Sequence, residues 1–139
     1  MAEKNTEKIL LEIVTPERVV VTEDVEEVIL PGIEGEFGVL PGHIPFLTAL
    51  KVGELVFRSK EGVTQHLAVS WGYVEVTGDS VKVLAETAEK ATEIDLKRAE
   101  MAQEEAEKIL TAGKDDPEYE KAKVTLEKSV IRVQVAGRK

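Results

Sequence analysis

The hydrophobic pattern of this chain changes period near residue 90, and one kind of secondary structure cannot satisfy both periods. Up to that point short apolar segments alternate with period two, as half-buried strands do, at residues 11–13, 19–21, 28–30, 55–57, 67–69, 73–76 and 81–83. Turn formers separate them: Thr15-Pro16, Pro31-Gly32, Lys60-Glu61-Gly62 and Thr77-Gly78-Asp79, the last two reading as hairpin connections. Many short strands with no helical pattern between them predict an antiparallel sandwich or barrel rather than a βαβ fold. From Thr92 onward Ala, Glu, Lys and Leu dominate and the strand punctuation stops.

In this second part Leu96, Ala99, Ala102, Ala106 and Ile109/Leu110 recur at three- and four-residue steps, one narrow stripe made mostly of alanine. Thr92-Glu93-Ile94-Asp95 reads as a capping box, with Asp95 in an acidic first turn. Gly113 is placed to stop this helix, Asp116 to cap the next and Pro117 to open it. A second stripe follows in Tyr119, Ala122, Leu126, Val130 and Val133. The β-branched run at 130–135 also suits a strand, but the helical stripe runs through it, and an αα-hairpin is expected. Such a hairpin hides few side chains, at about 1–2 kcal/mol each, against the entropy of ordering roughly forty residues. It is therefore expected to be marginal alone and to be the mobile part. The fold class is α+β, with a sandwich domain at 1–88 and a helical hairpin at 89–139.

Between the strands, residues 35–53 read GEFGVLPGHIPFLTALKVG. Gly35, Gly38, Gly42 and Gly53 offer positive φ at intervals, and Pro41 and Pro45 fix φ on either side of His43. The segment is expected to be a strand that turns, crosses and returns, with Phe46, Leu47, Leu50 and Val52 buried.

Charge narrows the partners. Across 139 residues the net charge is −9, which opposes binding to nucleic acid or to an anionic lipid surface. There is no cysteine, so disulfides and thiolate metal sites are excluded. The first residues lack the apolar core of a signal peptide, no segment approaches the roughly 20 apolar residues of a membrane span, and a cytoplasmic location is expected.

Catalytic chemistry finds no foothold. His43 and His66 are the only histidines and neither has a second one at metal-ligand spacing. Gly32, Gly35 and Gly38 are followed by no Lys-Ser/Thr and no helix, so turn shaping is preferred to phosphate binding. Ser70 lacks a nucleophile elbow. The adjacent pairs Glu26-Glu27 and Glu104-Glu105 are expected to diverge into solvent rather than share a proton. Basic charge on the second helix, at Lys121, Lys123, Lys128 and Arg132, stands against Glu100, Glu104, Glu105 and Glu107 on the first. It suits either pairing within the hairpin or an acidic surface on a partner.

Three stretches together, GEFGVLPGHIPF, WGYVEV and LAETAEKATEIDLKRA, resemble the epsilon-subunit family of bacterial F-type ATP synthases, and the similarity covers nearly the whole chain. The resemblance implies a flattened β-sandwich of about ten strands at the foot of a rotating stalk, peripheral to the cytoplasmic face of the cell membrane. It implies a non-catalytic rotor subunit that links the gamma subunit to the c-ring in proton-driven ATP synthesis. It also implies a hairpin that extends toward the alpha and beta subunits and inhibits ATP hydrolysis. It sets Glu36 near the c-ring, His43 near gamma, and Lys121, Lys123, Lys128 and Arg132 against an acidic segment of beta.

Some members bind ATP on the folded hairpin through an Ile/Leu-Asp-x-x-Arg-Ala motif. Ile94, Asp95, Arg98 and Ala99 match it, with Glu89 and Arg132 as further contacts and Arg98 toward phosphate. Glu105 and Lys128 stand where strong binders carry arginine. A carboxylate repels phosphate and lysine cannot form a two-pronged contact, so ATP is expected to be at most a weak regulatory ligand, with no cofactor required. The alternative reading is a nucleotide-sensing binding protein that acts through the hairpin.

Overall fold

The computed structural model describes residues 8–138. Seven strands precede two helices: β1 (Ile9–Val14), β2 (Val19–Gly32), β3 (Gly35–Val39), β4 (Phe46–Leu50), β5 (Gly53–Ser59), β6 (Thr64–Val76) and β7 (Ser80–Lys90), then α1 (Leu96–Ala112) and α2 (Tyr119–Ala136). The sandwich and the helical hairpin are both present, and the run at 130–135 is helix. Seven strands stand in place of about ten because β2 and β6, at 14 and 13 residues, each join two of the short apolar segments. β5 lies between β2 and β6, β7 between β6 and β1, and β1 closes back on β2. β3 extends β2, and β4 lines the second half of β6. Every pairing is antiparallel except β1 with β7.

The long strands serve both layers by slipping the phase of their pleat. In β6 the core-facing residues are Leu67 and Val69, then Val74 and Val76; in its partner β7 they are Ala88, then Ala85, Val83 and Val81. Both strands lose one step at the same place, where Trp71 has φ 23° and Gly72 φ 157°. Only glycine fits at 72, because a Cβ there would stand 1.8 Å from the Leu84 carbonyl oxygen. β2 makes a comparable slip at a bulge between Val25 and Glu27. That bulge corrects one expectation. Glu26 and Glu27 do not diverge but converge on Arg58, at 3.0 and 2.8 Å.

Inside the layers lies an apolar core built on Ile9, Leu11, Ile13, Leu30, Leu55, Phe57 and Leu67. Pro31-Gly32 is not a turn but the end of β2; the chain reverses at Ile33-Glu34, and Gly32 pairs with Gly35. After β3 it turns at Pro41-Gly42, where the Gly42 N–H donates to the Gly78 carbonyl at 2.8 Å and ties this loop to the β6–β7 turn. Gly38 and Gly53 do not need positive φ. Gly53 is required for room, since a Cβ would lie 2.5 Å from the Pro31 Cβ. Leu50 and Val52 are buried as expected, whereas Leu47 is 69% exposed.

The hairpin starts differently from its sequence reading. A short 3-10 turn spans Ala91–Glu93, so Asp95 is the N-cap of α1 rather than a first-turn residue, and its carboxylate accepts the Arg98 N–H at 3.1 Å. Gly113 ends α1, as expected, with φ 104°. Asp116 accepts the Glu118 N–H at 2.8 Å in the connecting turn, but α2 begins only at Tyr119, so Pro117 precedes the helix. The buried positions are Ala99 and Ala106 on α1, and Ala122, Ser129, Val135 and Ala136 on α2. Leu96 and Val130 lie exposed. The stripe rotates off Val130 because α2 packs on two surfaces at once, α1 and the sandwich.

Candidate functional site

α2 lies on the outer side of β5 and β6 through a second, small apolar cluster. Ala68 of β6, Ala91, Ile94, Ala99 of α1, and Val135 and Ala136 of α2 are buried together, with Ile131 and Val133 beside them. The alternation of β6 requires this: Leu67 and Val69 face the main core, so Ala68 faces outward, and its small side chain admits a helix. Most members of the cluster are alanine or valine. Little apolar area is therefore hidden, and polar contacts around the cluster carry much of the docking.

Those contacts run from α2 to carboxylates of the sandwich. Arg132 grips Glu89 with two bonds, Nε to Oε1 at 2.7 Å and Nη2 to Oε2 at 3.1 Å. Lys128 reaches Glu86 at 3.1 Å, and its Nζ stands 4.9 Å from the centroid of the Trp71 ring. At the far end of α2, Glu54 of β5 accepts from Arg138 Nε at 3.0 Å, Arg138 Nη2 at 3.1 Å, Gln134 Nε2 at 3.0 Å and His66 Nδ1 at 2.8 Å. The Glu54 side chain is only 13% exposed. Burial pushes its pKa up, but the bonds from Arg138, Gln134 and His66 outweigh burial and hold the carboxyl below its ordinary range. Arg18, in the loop after β1, holds Glu93 with two bonds at 3.2 and 2.9 Å, and this guanidinium lowers the Glu93 carboxyl in turn.

Of the basic residues of α2, Lys128 and Arg132 are thus spent on the sandwich. Among the described residues no ion pair joins α1 to α2, and Lys123 pairs with Glu120 on its own helix at 3.4 Å. Pairing within the hairpin is not how the two helices are matched.

The residues singled out from sequence fall into separate places. Glu89 and Arg132 meet, with Lys128, Arg18 and Thr87, around a cleft of about 470 Å³ between β7 and the hairpin. Ile94 and Ala99 are buried in the docking cluster, and Asp95 caps α1. Arg98 and Asp95 are exposed and do not line that cleft. Glu105 and Lys121 flank a different hollow, between α1 and α2. Glu36 is an exposed residue of β3, opposite Pro31. His43 donates its Nδ1–H to the Ile44 carbonyl at 2.9 Å and packs 5.3 Å from the Phe46 ring. Sequence reasoning missed Glu54, Arg18 and Trp71. No local signal marks the first two, whose partners Arg138 and Glu93 lie 84 and 75 residues away.

A further surface belongs to the second layer. Ala49 of β4, Tyr73 of β6, Leu84 of β7 and Val14 of β1 stand opposite one another in register, one apolar row across four strands. Tyr73 is 60% and Leu84 49% exposed, and Ile33, 60% exposed, hangs over the same groove of about 720 Å³. The next positions along β6 and β7 are Trp71 and Glu86, which form one rim of that groove and also carry Lys128. No helix in the described residues is long and apolar enough to cross a membrane.

Bent strands enclosing one core, an apolar outer row and a hairpin docked by ion pairs define a β-sandwich protein with a C-terminal helical arm. The chain belongs to the ATP synthase delta/epsilon chain family: the profile of its beta-sandwich domain matches residues 8–91 and that of its long alpha-helix domain residues 92–137. It is 53% identical over 133 residues to an ATP synthase epsilon chain of Geotalea daltonii, covering 95% of this chain and 96% of that one. The same figures describe its match to an ATP synthase epsilon chain of Citrifermentans bemidjiense. Among solved structures, a chain of the Euglena gracilis mitochondrial ATP synthase superposes with a TM-score of 0.81 at 23% identity, over 94% of this chain and 81% of that one, a likeness of fold.

Proposed function

We propose that this chain is the non-catalytic epsilon-type subunit of a rotary F-type ATP synthase, peripheral to the cytoplasmic face of the membrane through its complex. In this role the sandwich joins the gamma subunit to the c-ring, with His43 on the gamma side and Glu36 toward the ring. The hairpin leaves the sandwich, extends toward the alpha and beta subunits, and restrains ATP hydrolysis. Family membership along both parts of the chain supports the rotor role. One observation carries the regulatory part: α2 is held by Glu86, Glu89 and Glu54 around a small apolar cluster, a docking that exchangeable charge contacts can release. In the extended form Lys121, Lys123, Lys128 and Arg132 meet acidic groups of beta.

Two measurements test this. The purified chain is expected to form a stable complex with the gamma subunit, and its failure to bind would remove the rotor role. A complex reconstituted with a chain ended after Ala91 is expected to hydrolyse ATP faster than one with the full chain; equal rates would remove the inhibitory role.

ATP is proposed to be a weak ligand. Arg132 is already committed to Glu89, and Arg98 stands outside the cleft that these two residues line. Calorimetric titration of the full chain is expected to give little heat. Tight binding that Arg98→Ala abolishes would instead favour the nucleotide-sensing alternative.

A further inference from the structure

The apolar row of the second layer and the docked hairpin meet at Trp71 and Glu86. Trp71 and Glu86 form the rim of the groove lined by Tyr73, Leu84 and Ile33, and the same two residues hold Lys128 of α2. Trp71 is the only tryptophan in the chain, and it is held at φ 23°, a conformation that bulky residues seldom adopt. Its neighbour Gly72 lies so close to the Leu84 carbonyl that no Cβ fits there, so the backbone that carries the indole is fixed by the β6–β7 register. Strain kept at the border between two surfaces points to a function for that border.

We infer that the groove and the hairpin compete for Trp71 and Glu86, so that a partner seated in the groove weakens the docking of α2. This inference rests on the proposed role as a stalk subunit and assigns the groove to the stalk partner. The occupant it fits is a protein surface with an apolar ridge for Tyr73 and Leu84 and a basic side chain for Glu86. Among the described residues Glu86 is the only charged one on the groove wall, and the whole chain is acidic, which selects a cation at that end. A partner cation that takes Glu86 leaves Lys128 without its carboxylate, and a side chain laid on the indole removes its second contact. Linkage makes the effect reciprocal: a docked hairpin lowers affinity for the partner by the same factor. Coupling of this kind lets the seating of the sandwich on the stalk bias the arm toward release.

The experiment uses the full chain and the gamma subunit of the same complex, with affinity measured by titration and docking of α2 by amide hydrogen exchange. Gamma binding is expected to increase exchange in α2. Lys128→Met is expected to tighten gamma binding by about 5-fold, at the lower end of typical coupling factors. Arg138→Gln is the discriminating variant, because it loosens α2 at Glu54 without touching Trp71 or Glu86. Competition predicts tighter gamma binding there too, whereas a purely local effect at Lys128 predicts none. Gamma binding with unchanged α2 exchange, or with affinity unaltered in both variants, overturns the inference while leaving the stalk role standing. No binding of the wild-type chain to gamma overturns both.

Discussion

Arg132 on α2 and Glu89 on β7, 43 residues apart, form a two-pronged ion pair at 2.7 and 3.1 Å with side chains about one-third exposed. It closes the cleft between arm and sandwich, and it ties the position of the whole second helix to the last strand. A parallel pair of bonds fixes orientation as well as distance, which a single ammonium contact does not.

Replacing Arg132 by Ala is expected to cost the docked arm about 1 kcal/mol, the scale of a partly exposed ion pair of good geometry. Amide exchange in α2 would rise while exchange in the β1–β7 core stays as it was. Arg132→Lys is expected to recover only part of the loss, because lysine cannot make both bonds. A double-mutant cycle with Glu89→Gln isolates the pair.

Glu54 gives the docking a dependence on acid. Its carboxyl lies lower in the folded chain than its ordinary value of 4.5, so its contribution is complete above that pH and is lost as pH falls through the folded value. The groups facing it are His66, Gln134 and Arg138. Protection of the C-terminal turns of α2 is therefore expected to fall on acidification below about pH 4.5. Glu54→Gln should show weakened docking at neutral pH and a flatter acid profile. An unchanged profile would contradict the assignment.

Gly72→Ala probes the phase slip. With a Cβ brought to 1.8 Å from the Leu84 oxygen, the β6–β7 ladder must part or the strand must shift. The expected cost is at least about 3 kcal/mol, in the upper part of the range for single substitutions, read as a lowered melting temperature of the sandwich. A stability within 1 kcal/mol of wild type, on the scale of ordinary surface changes, would show that the slip has another solution.

Ala99→Leu separates the two parts. Ala99 is fully buried where α1 meets Ala68, Val135 and Ala136. Overpacking there is expected to cost about 1–3 kcal/mol. The loss should appear as faster proteolysis at the hairpin, with little change in sandwich melting. Equal destabilisation of both parts would indicate one cooperative unit.

Much of the fold was legible in local pattern. The change of period near residue 90 announced strands and then a hairpin, Gly113 marked the end of α1, and the stripe through residues 130–135 marked helix rather than strand. Legibility failed where strands change phase. Residues 67–69 and 73–76 looked like two strands because the pleat slips at Trp71 and Gly72, and nothing local distinguishes a slip from a turn. Likewise Glu26 and Glu27 looked divergent until a bulge turned both toward Arg58. The motif at Ile94, Asp95, Arg98 and Ala99 was plain in the sequence. Its dispersal among a core, a cap and an exposed surface was not.

The sequence by itself determined the kinds of element, their order and the narrowness of the hairpin's apolar stripe, because periodicity, caps and small side chains act over a few residues. Only the tertiary structure decided which carboxylates hold the arm. Glu54, Glu86 and Glu89 meet Arg138, Lys128 and Arg132 from 84, 42 and 43 residues away. Coulombic partners are chosen by distance in space, and that distance exists only after bent strands and a docked helix have brought the groups together.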